Sequence, residues 1–212
     1  MKQNDFSLKN SDYSIFAKMG KKIIALCGTI GSGKTTAADF LRQKGYPVID
    51  CDDLARKAAE DRDIKEQILI NFGKEYVIEG EIQRRKLAQK AFGNKAETEI
   101  LNSIFHQRIL KLLIEKILNI KDDIIFVELQ VLNKPFADLF EEIWIIKTTA
   151  QNAIKRVTAR DGRTPQQVED ILNTQNMQNK QFNSKSRIIN NDGTIKELYM
   201  QIDRILKQIL QI

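Results

Sequence analysis

Three apolar runs interrupt an otherwise polar chain: Ile23–Cys27, Ile124–Val127 and Ile143–Ile146. None contains a polar break, which is the pattern of strands buried on both faces. Val48-Ile49-Asp50 and Arg187-Ile188-Ile189-Asn190 read as two further short strands. Between these runs the apolar positions change period. Ile100, Leu101, Ile104, Phe105, Ile109, Leu112 and Leu113 recur at helical spacing and predict a long amphipathic helix over 97–118. Ile195, Leu198, Ile202, Ile205 and Ile209 mark one face of a C-terminal helix, opened by a capping box of Thr194 and Glu197. Asp63 with Glu66 predicts another helix start and Gly73 its stop. Gly80 opens a loop, a short helix RRKLAQKAFG ends at Gly93, and two more helices fall near 150–160 and 165–180. Buried strands alternating with helices predict an α/β fold with a five-stranded parallel sheet covered on both faces. Ligands of such sheets bind at the carboxyl ends of the strands.

The first strand ends in Gly28-Thr29-Ile30-Gly31-Ser32-Gly33-Lys34-Thr35, and helical periodicity resumes at once with Ala37, Ala38, Phe40 and Leu41. This is G-x-x-x-x-G-K-[ST] in its strand–loop–helix setting. The glycines let successive N–H groups turn inward as an anion nest. The helix N-terminus adds unpaired donors and the positive end of a dipole. Lys34 brings a full charge to the β- and γ-phosphates, and the Thr35 hydroxyl is a Mg²⁺ ligand. Gly31, Ser32, Gly33, Lys34, Thr35 and Thr36 are therefore the expected contacts of a nucleoside triphosphate.

Composition narrows the class. The 212 residues are 42% hydrophobic and 29% charged, with a formal net charge of +6, which suits one soluble domain with anionic ligands. The basic residues are scattered without aromatic interleaving, so nucleic acid is not the expected partner. Two cysteines and one histidine offer neither a disulfide framework nor a metal-ligand spacing, which fits a reducing cytoplasm. No run approaches a membrane span. Residues 1–20 lack the apolar core of a signal peptide and read as a polar extension. The sequence leaves the oligomeric state open.

The guanine motif of GTPases is missing: the nearest string, Asn133-Lys134-Pro135-Phe136, has no aspartate. The Leu-Ser-Gly-Gly signature of transporter ATPases is missing too. A small single domain with an arginine-bearing helical segment points to a small-molecule kinase, whose arginines close over the phosphates and exclude water. Several strings resemble the dephospho-coenzyme A kinase family in order and spacing from about Lys22 to the C-terminus. They are the loop TIGSGKTT; VIDCDDLARK, similar to the family's Asp-x-Asp segment; Gly80-Glu81-Ile82-Gln83-Arg84 with Leu87 and Phe92; and Leu101-Asn102 with His106. Arg156, Arg160-Asp161 and Gln175 resemble its lid, and Ile188-Ile189-Asn190-Asn191-Asp192-Gly193 its adenine-side segment.

That resemblance implies a three-layer P-loop kinase fold over 21–212, with an acceptor-binding helical region at about 54–118 and a small helical lid at about 150–182. It implies transfer of phosphate from ATP to the ribose 3′-hydroxyl of dephospho-coenzyme A, with Mg²⁺. Asp52 would be the base, Lys34 and Arg160 further catalytic groups, and Arg84 and His106 the acceptor contacts. Asn191 would read the adenine edge. Arg156 and Arg160, four apart, share a helix face from which one clamps phosphate. Glu128, at the end of the central strand, would hold Mg²⁺, through a water, alongside Thr35. Helix capping is the competing role for Asp52, and Asp50 and Asp53 compete with it for both roles. The chain departs from the family pattern at Gln107, in place of proline, at Ile171, in place of arginine, at Lys185-Ser186, and over Glu128-Leu129-Gln130-Val131-Leu132-Asn133-Lys134. These departures touch the acceptor and lid sides. A kinase for another acceptor, such as a nucleoside monophosphate, and a weakened ATP-binding module are the alternatives.

Overall fold

The computed structural model describes residues 16, 19–92, 94–130, 132, 137–178 and 186–210. Outside them lie most of the expected extension (1–15 and 17–18), the expected helix stop at Gly93, part of the divergent segment (131 and 133–134), and 179–182 of the expected lid. The described chain forms two compact units. One is Asp50–Lys121; the other is the sheet unit, which takes up the chain before Asp50 and from Asp122 onward.

The sheet unit holds β1 (Lys22–Gly28), β2 (Val48–Asp50), β5 (Ile124–Glu128), β6 (Glu142–Lys147) and β7 (Ser186–Asn190), in the order β2-β5-β1-β6-β7. Two short strands of the other unit, β3 and β4, complete the numbering. β1 is central. It pairs in parallel with β5 (Leu26 opposite Glu128) and with β6 (Gly28 opposite Ile146), and β6 pairs in parallel with β7 (Lys147 opposite Asn190). The unbroken apolar runs follow from this position, since alternate residues go to opposite faces and both faces are covered. On one face Ile24, Leu26, Phe126, Trp144, Ile146 and Ile189 pack against helix α1 (Lys34–Gln43) and the C-terminal helix α8 (Ile195–Leu210). Phe40 of α1 stacks on Tyr199 of α8 with ring centroids 4.0 Å apart. Ile23, Ala25, Cys27, Ile125, Val127 and Ile143 on the other face are equally buried. Fully burying such a side chain stabilises the fold by about 1.5–3 kcal/mol.

The capping box forms as expected: Thr194 N–H donates to Glu197 Oε2 at 2.7 Å, and Glu197 N–H to Thr194 Oγ1 at 3.3 Å. The face of α8 differs from the sequence expectation. Leu198, Ile202 and Leu206 are buried, whereas Ile195 is 60% exposed, because it stands at the helix start beyond the edge of the sheet cluster. Among the described residues this unit also holds the helices α6 (Ala150–Asp161) and α7 (Pro165–Gln178).

The helical unit runs α2 (Cys51–Ala58), α3 (Arg62–Phe72), a 3₁₀ turn (Lys74–Tyr76), β3 (Val77–Ile78), β4 (Glu81–Ile82), α4 (Arg84–Phe92) and α5 (Lys95–Asn119). Ala59, Ile64, Ile68, Tyr76, Ile82 and Leu87 form its core, with Leu101, Ile104 and Phe105 of α5 packed against them. Ile100, expected on that face, is 40% exposed. The cap of α3 is Asp61, not Asp63. Asp61 has extended backbone angles and accepts Asp63 N–H at 3.0 Å, leaving Asp63 in the first turn. The loop expected at Gly80 is the tip of a β-hairpin. Glu79 (φ 51°) and Gly80 (φ 78°) make its two-residue turn, and both positive φ values match the twist of the flanking strands. Among the described residues no helix is long and apolar enough to cross a membrane.

Candidate nucleotide site

The loop between β1 and α1 takes the shape its glycines allow. Gly31 has φ +73° and Gly33 φ +94°, both left-handed. A Cβ on Gly31 would stand 2.8 Å from the Ala153 carbonyl oxygen, and one on Gly33 would run into the Asn191 side-chain amide. Gly33 is the N-cap of α1, with no side-chain cap and no acidic residue in the first turn. The first N–H groups of that helix have no intrahelical acceptor, so they and the dipole favour an anion. Lys34, Thr35 and Thr36 occupy this first turn.

Register carries Glu128 to the same place. It ends β5 opposite Leu26, and Leu129 N–H donates to the Leu26 carbonyl at 3.1 Å. The residue is 5% exposed. Glu128 Oε1 lies 2.7 Å from Lys34 Nζ and accepts Thr35 Oγ1 at 3.3 Å, while Oε2 is 3.4 Å from Arg42 Nη2. A buried carboxylate needs such partners. A small divalent ion on Thr35 Oγ1 would have the Glu128 carboxylate beside it as acceptor for one of its bound waters. No cluster of three His, Cys, Asp or Glu side chains suited to a metal exists among the described residues. An ion here would therefore share its remaining positions with nucleotide oxygens and water, as Mg²⁺ commonly does.

The outer side of the loop is tied to later parts of the sheet unit. Ser32 N–H donates to the Thr29 carbonyl at 3.1 Å, closing the turn. Ile30 N–H donates to Gln175 Oε1 at 2.8 Å, and the Ile30 side chain packs with Ala153, Val157, Val168 and Leu172 of α6 and α7. Arg156 Nη1 donates to the Gly31 carbonyl at 3.3 Å and Nη2 to the Asn191 carbonyl at 2.8 Å. Asn191 follows β7 and is buried; its Nδ2 donates to the Ser32 carbonyl at 2.7 Å. Next to it, the Asp192 carboxylate accepts Thr149 N–H at 2.7 Å, Thr148 Oγ1 at 2.8 Å and Asn152 Nδ2 at 3.1 Å. The Thr149 N–H above all, and then the side-chain donors, hold the Asp192 carboxyl below the usual carboxylate range. Arg160 lies exposed at the end of α6, with Nε and Nη2 on the two oxygens of Asp161 at 2.6 and 2.9 Å.

The other expected residues lie in the helical unit. Asp52 is exposed in the first turn of α2. The cap of that helix falls to Asp50, whose Oδ1 accepts Asp52 N–H at 2.8 Å, and Asp53 pairs with Arg56. Arg84 opens α4 and donates through Nη2 to the Arg56 carbonyl at 2.8 Å, so it closes the C-terminal turn of α2. His106 is half-buried on α5, and burial pushes its imidazole below the ordinary value. The structure thus gathers Lys34, Thr35, Glu128, Asn191 and Arg156 around one loop. Sequence reasoning missed the contacts of Ile30, Gln175 and Arg42. An isoleucine in the middle of a glycine-rich loop was the one local signal, since an apolar side chain there calls for a buried partner.

The dephospho-CoA kinase family model matches residues 22–197. A dephospho-CoA kinase of Fusobacterium nucleatum is 28% identical over 193 residues, covering 90% of this chain and 100% of that protein. One from Thermus thermophilus is 30% identical over 196 residues, covering 89% of this chain and 90% of that protein. The crystal structure of a Thermus thermophilus protein aligns with 28% identity and a TM-score of 0.75 over 89% of this chain and 97% of that one. With a family match spanning the phosphate loop, both units and the start of α8, the chain belongs to the dephospho-CoA kinase family.

Proposed function

We propose that the chain transfers the γ-phosphoryl group of ATP to the ribose 3′-hydroxyl of dephospho-CoA, giving ADP and CoA, the last step of CoA biosynthesis. The observation that carries this reading is the loop itself: an anion-binding helix start with Lys34 and Thr35 already gathered on the Glu128 carboxylate. Phosphoryl transfer asks a protein for positioning and charge neutralisation more than for covalent chemistry. The N–H groups of Gly31 and of Gly33 to Thr36 receive the phosphates, while the Ser32 N–H stays on the Thr29 carbonyl. Lys34 exchanges Glu128 for the β- and γ-phosphate oxygens. Thr35 would hold Mg²⁺ directly and Glu128 would hold it through a water. The chemistry such an ion would supply there is neutralisation of charge on the phosphates.

Asp52 orients the 3′-hydroxyl and takes its proton as the new O–P bond forms and the bond to the ADP oxygen breaks. Capping of α2 by Asp50 supports this role, because it relieves Asp52 of the structural one. Arg160 neutralises charge on the transferred group, exchanging Asp161 for it. Arg84 and His106 hold the acceptor, and Asn191 belongs to the nucleotide site. The test is ADP release from Mg-ATP with dephospho-CoA, with nucleoside monophosphates, and with no acceptor. Release dependent on dephospho-CoA is expected. Release dependent on a nucleoside monophosphate instead would move the substrate. ATP binding without acceptor-dependent release would leave a binding module.

A further inference from the structure

Asn191 sits in the loop's scaffold in a way that reading a base does not require. Its backbone is fixed first: the N–H donates to the Lys147 carbonyl at 2.7 Å, and its carbonyl accepts Arg156 Nη2 at 2.8 Å and Thr148 Oγ1 at 3.0 Å. The side chain so aimed is buried, and its Nδ2 meets the Ser32 carbonyl at 2.7 Å. The carbonyl of one residue and the N–H of the next point in opposite directions across a trans peptide. Pinning the Ser32 carbonyl therefore turns the Gly33 N–H away from Asn191. A second observation agrees. Gly33 has φ +94°, and the space where its Cβ would lie is filled by the Asn191 amide, so this side of Gly33 is the packed side.

We propose that Asn191 is a positioning residue for the phosphates: it sets the Ser32–Gly33 peptide so that the Gly33 N–H faces the anion, and it acts on the nucleotide through the loop rather than through the base. Arg156 belongs to the same brace, holding both the Gly31 carbonyl and the Asn191 carbonyl. The inference rests on the proposed ATP site and replaces the adenine-edge role with a phosphate-end one.

The two roles separate by ligand. Affinities of ATP, GTP and inorganic tripolyphosphate would be measured calorimetrically for the wild-type protein and for Asn191→Ala. A positioning role lowers all three by a similar factor, about tenfold for one lost hydrogen bond in a site that must hold its shape, and leaves the ATP-to-GTP ratio unchanged. Loss of that ratio with tripolyphosphate affinity intact would overturn the proposal in favour of base reading. Unchanged affinity for all three would overturn it outright. If the variant does not fold, the wild-type side-chain amide of Asn191 answers by NMR. Its resonances shift alike with ATP and tripolyphosphate if it serves the loop, and with ATP alone if it reads adenine. Failure of wild-type protein to bind either ligand would instead remove the nucleotide reading underneath.

Discussion

The phosphate loop and the helical unit hold their candidate residues in opposite ways. Around the loop the groups hold one another from several elements: Lys34 and Thr35 on Glu128, the Ser32 carbonyl on Asn191, the Gly31 carbonyl on Arg156, the Ile30 N–H on Gln175. In the helical unit, Asp52 and Arg84 stand exposed at helix starts, and the Arg84 guanidinium donates to a neighbouring helix end. The difference fits what each region is proposed to bind. A triphosphate is compact and carries its charge at fixed spacing, so backbone donors set in advance lose little to reorganisation. An acceptor as large as dephospho-CoA is flexible, and side chains at helix ends adapt to it at little cost to the fold. Substitutions on the helical side should therefore change turnover or acceptor affinity and leave ATP binding alone.

Asp52→Asn is the strongest test of that split. Asparagine keeps the size of the side chain, and the helix cap is on Asp50, so the protein should fold with an unchanged melting point. Without a base at this position turnover should fall about 10²–10⁴-fold. The ATP dissociation constant should hold within about twofold of wild type, because the loop's donors are untouched. Turnover near the wild-type rate would dismiss Asp52 as the base. A large loss of ATP affinity would break the separation between the two regions.

Arg84→Ala should have a smaller, two-part effect. Losing the bond to the Arg56 carbonyl removes a cap from α2, worth about 0.5–1.5 kcal/mol. Losing an acceptor contact should raise KM for dephospho-CoA about tenfold while KM for ATP stays put. Arg84→Lys distinguishes the two parts. A lysine still reaches a carbonyl and restores the cap, but it lacks the planar fork that recognises phosphate bidentately. Recovery of stability without recovery of KM is the expected result; recovery of both would make Arg84 structural.

What was legible beforehand divides along the same line. The five main strands and the glycine loop are local patterns, and apolar runs or glycines at fixed spacing carry them whole. The β3–β4 hairpin was not legible: two residues per strand are too few to show alternation, and Glu79 is an unusual residue for a left-handed turn position. Asp61 and Asp63 are equally good caps in composition, and only backbone geometry chooses between them. In the site, Lys34 and Thr35 could be named from their motif. The bonds of Arg156 and Gln175 to the loop span 125 and 145 residues of chain, a relation that no local pattern encodes.

His106 gives the finest test, on stability rather than turnover. It is the one histidine in the sequence. Burial lowers its imidazole in the folded protein, whereas the unfolded chain takes up the proton near the ordinary value of about 6.5. The unfolded state therefore binds more protons just below that pH, and stability rises with pH through this window. The contribution is complete above about 7 and is lost as pH falls from there toward the folded value. Asp192, Glu197 and Asp161 have the same sign, because hydrogen bonds hold their carboxyls low. Their effect belongs to the carboxylate range near pH 4, so the two windows separate. His106→Gln should flatten the rise in denaturation midpoint between pH 5.5 and 7.5, as an estimate of the window from that ordinary value, and leave the acid limb in place. It should also leave ATP affinity unchanged at every pH, as the proposed division of acceptor and nucleotide between the two regions requires. An unaltered rise in the variant would show that His106 takes no part in it. A pH-dependent change in ATP affinity would show that the two regions are coupled through this side chain.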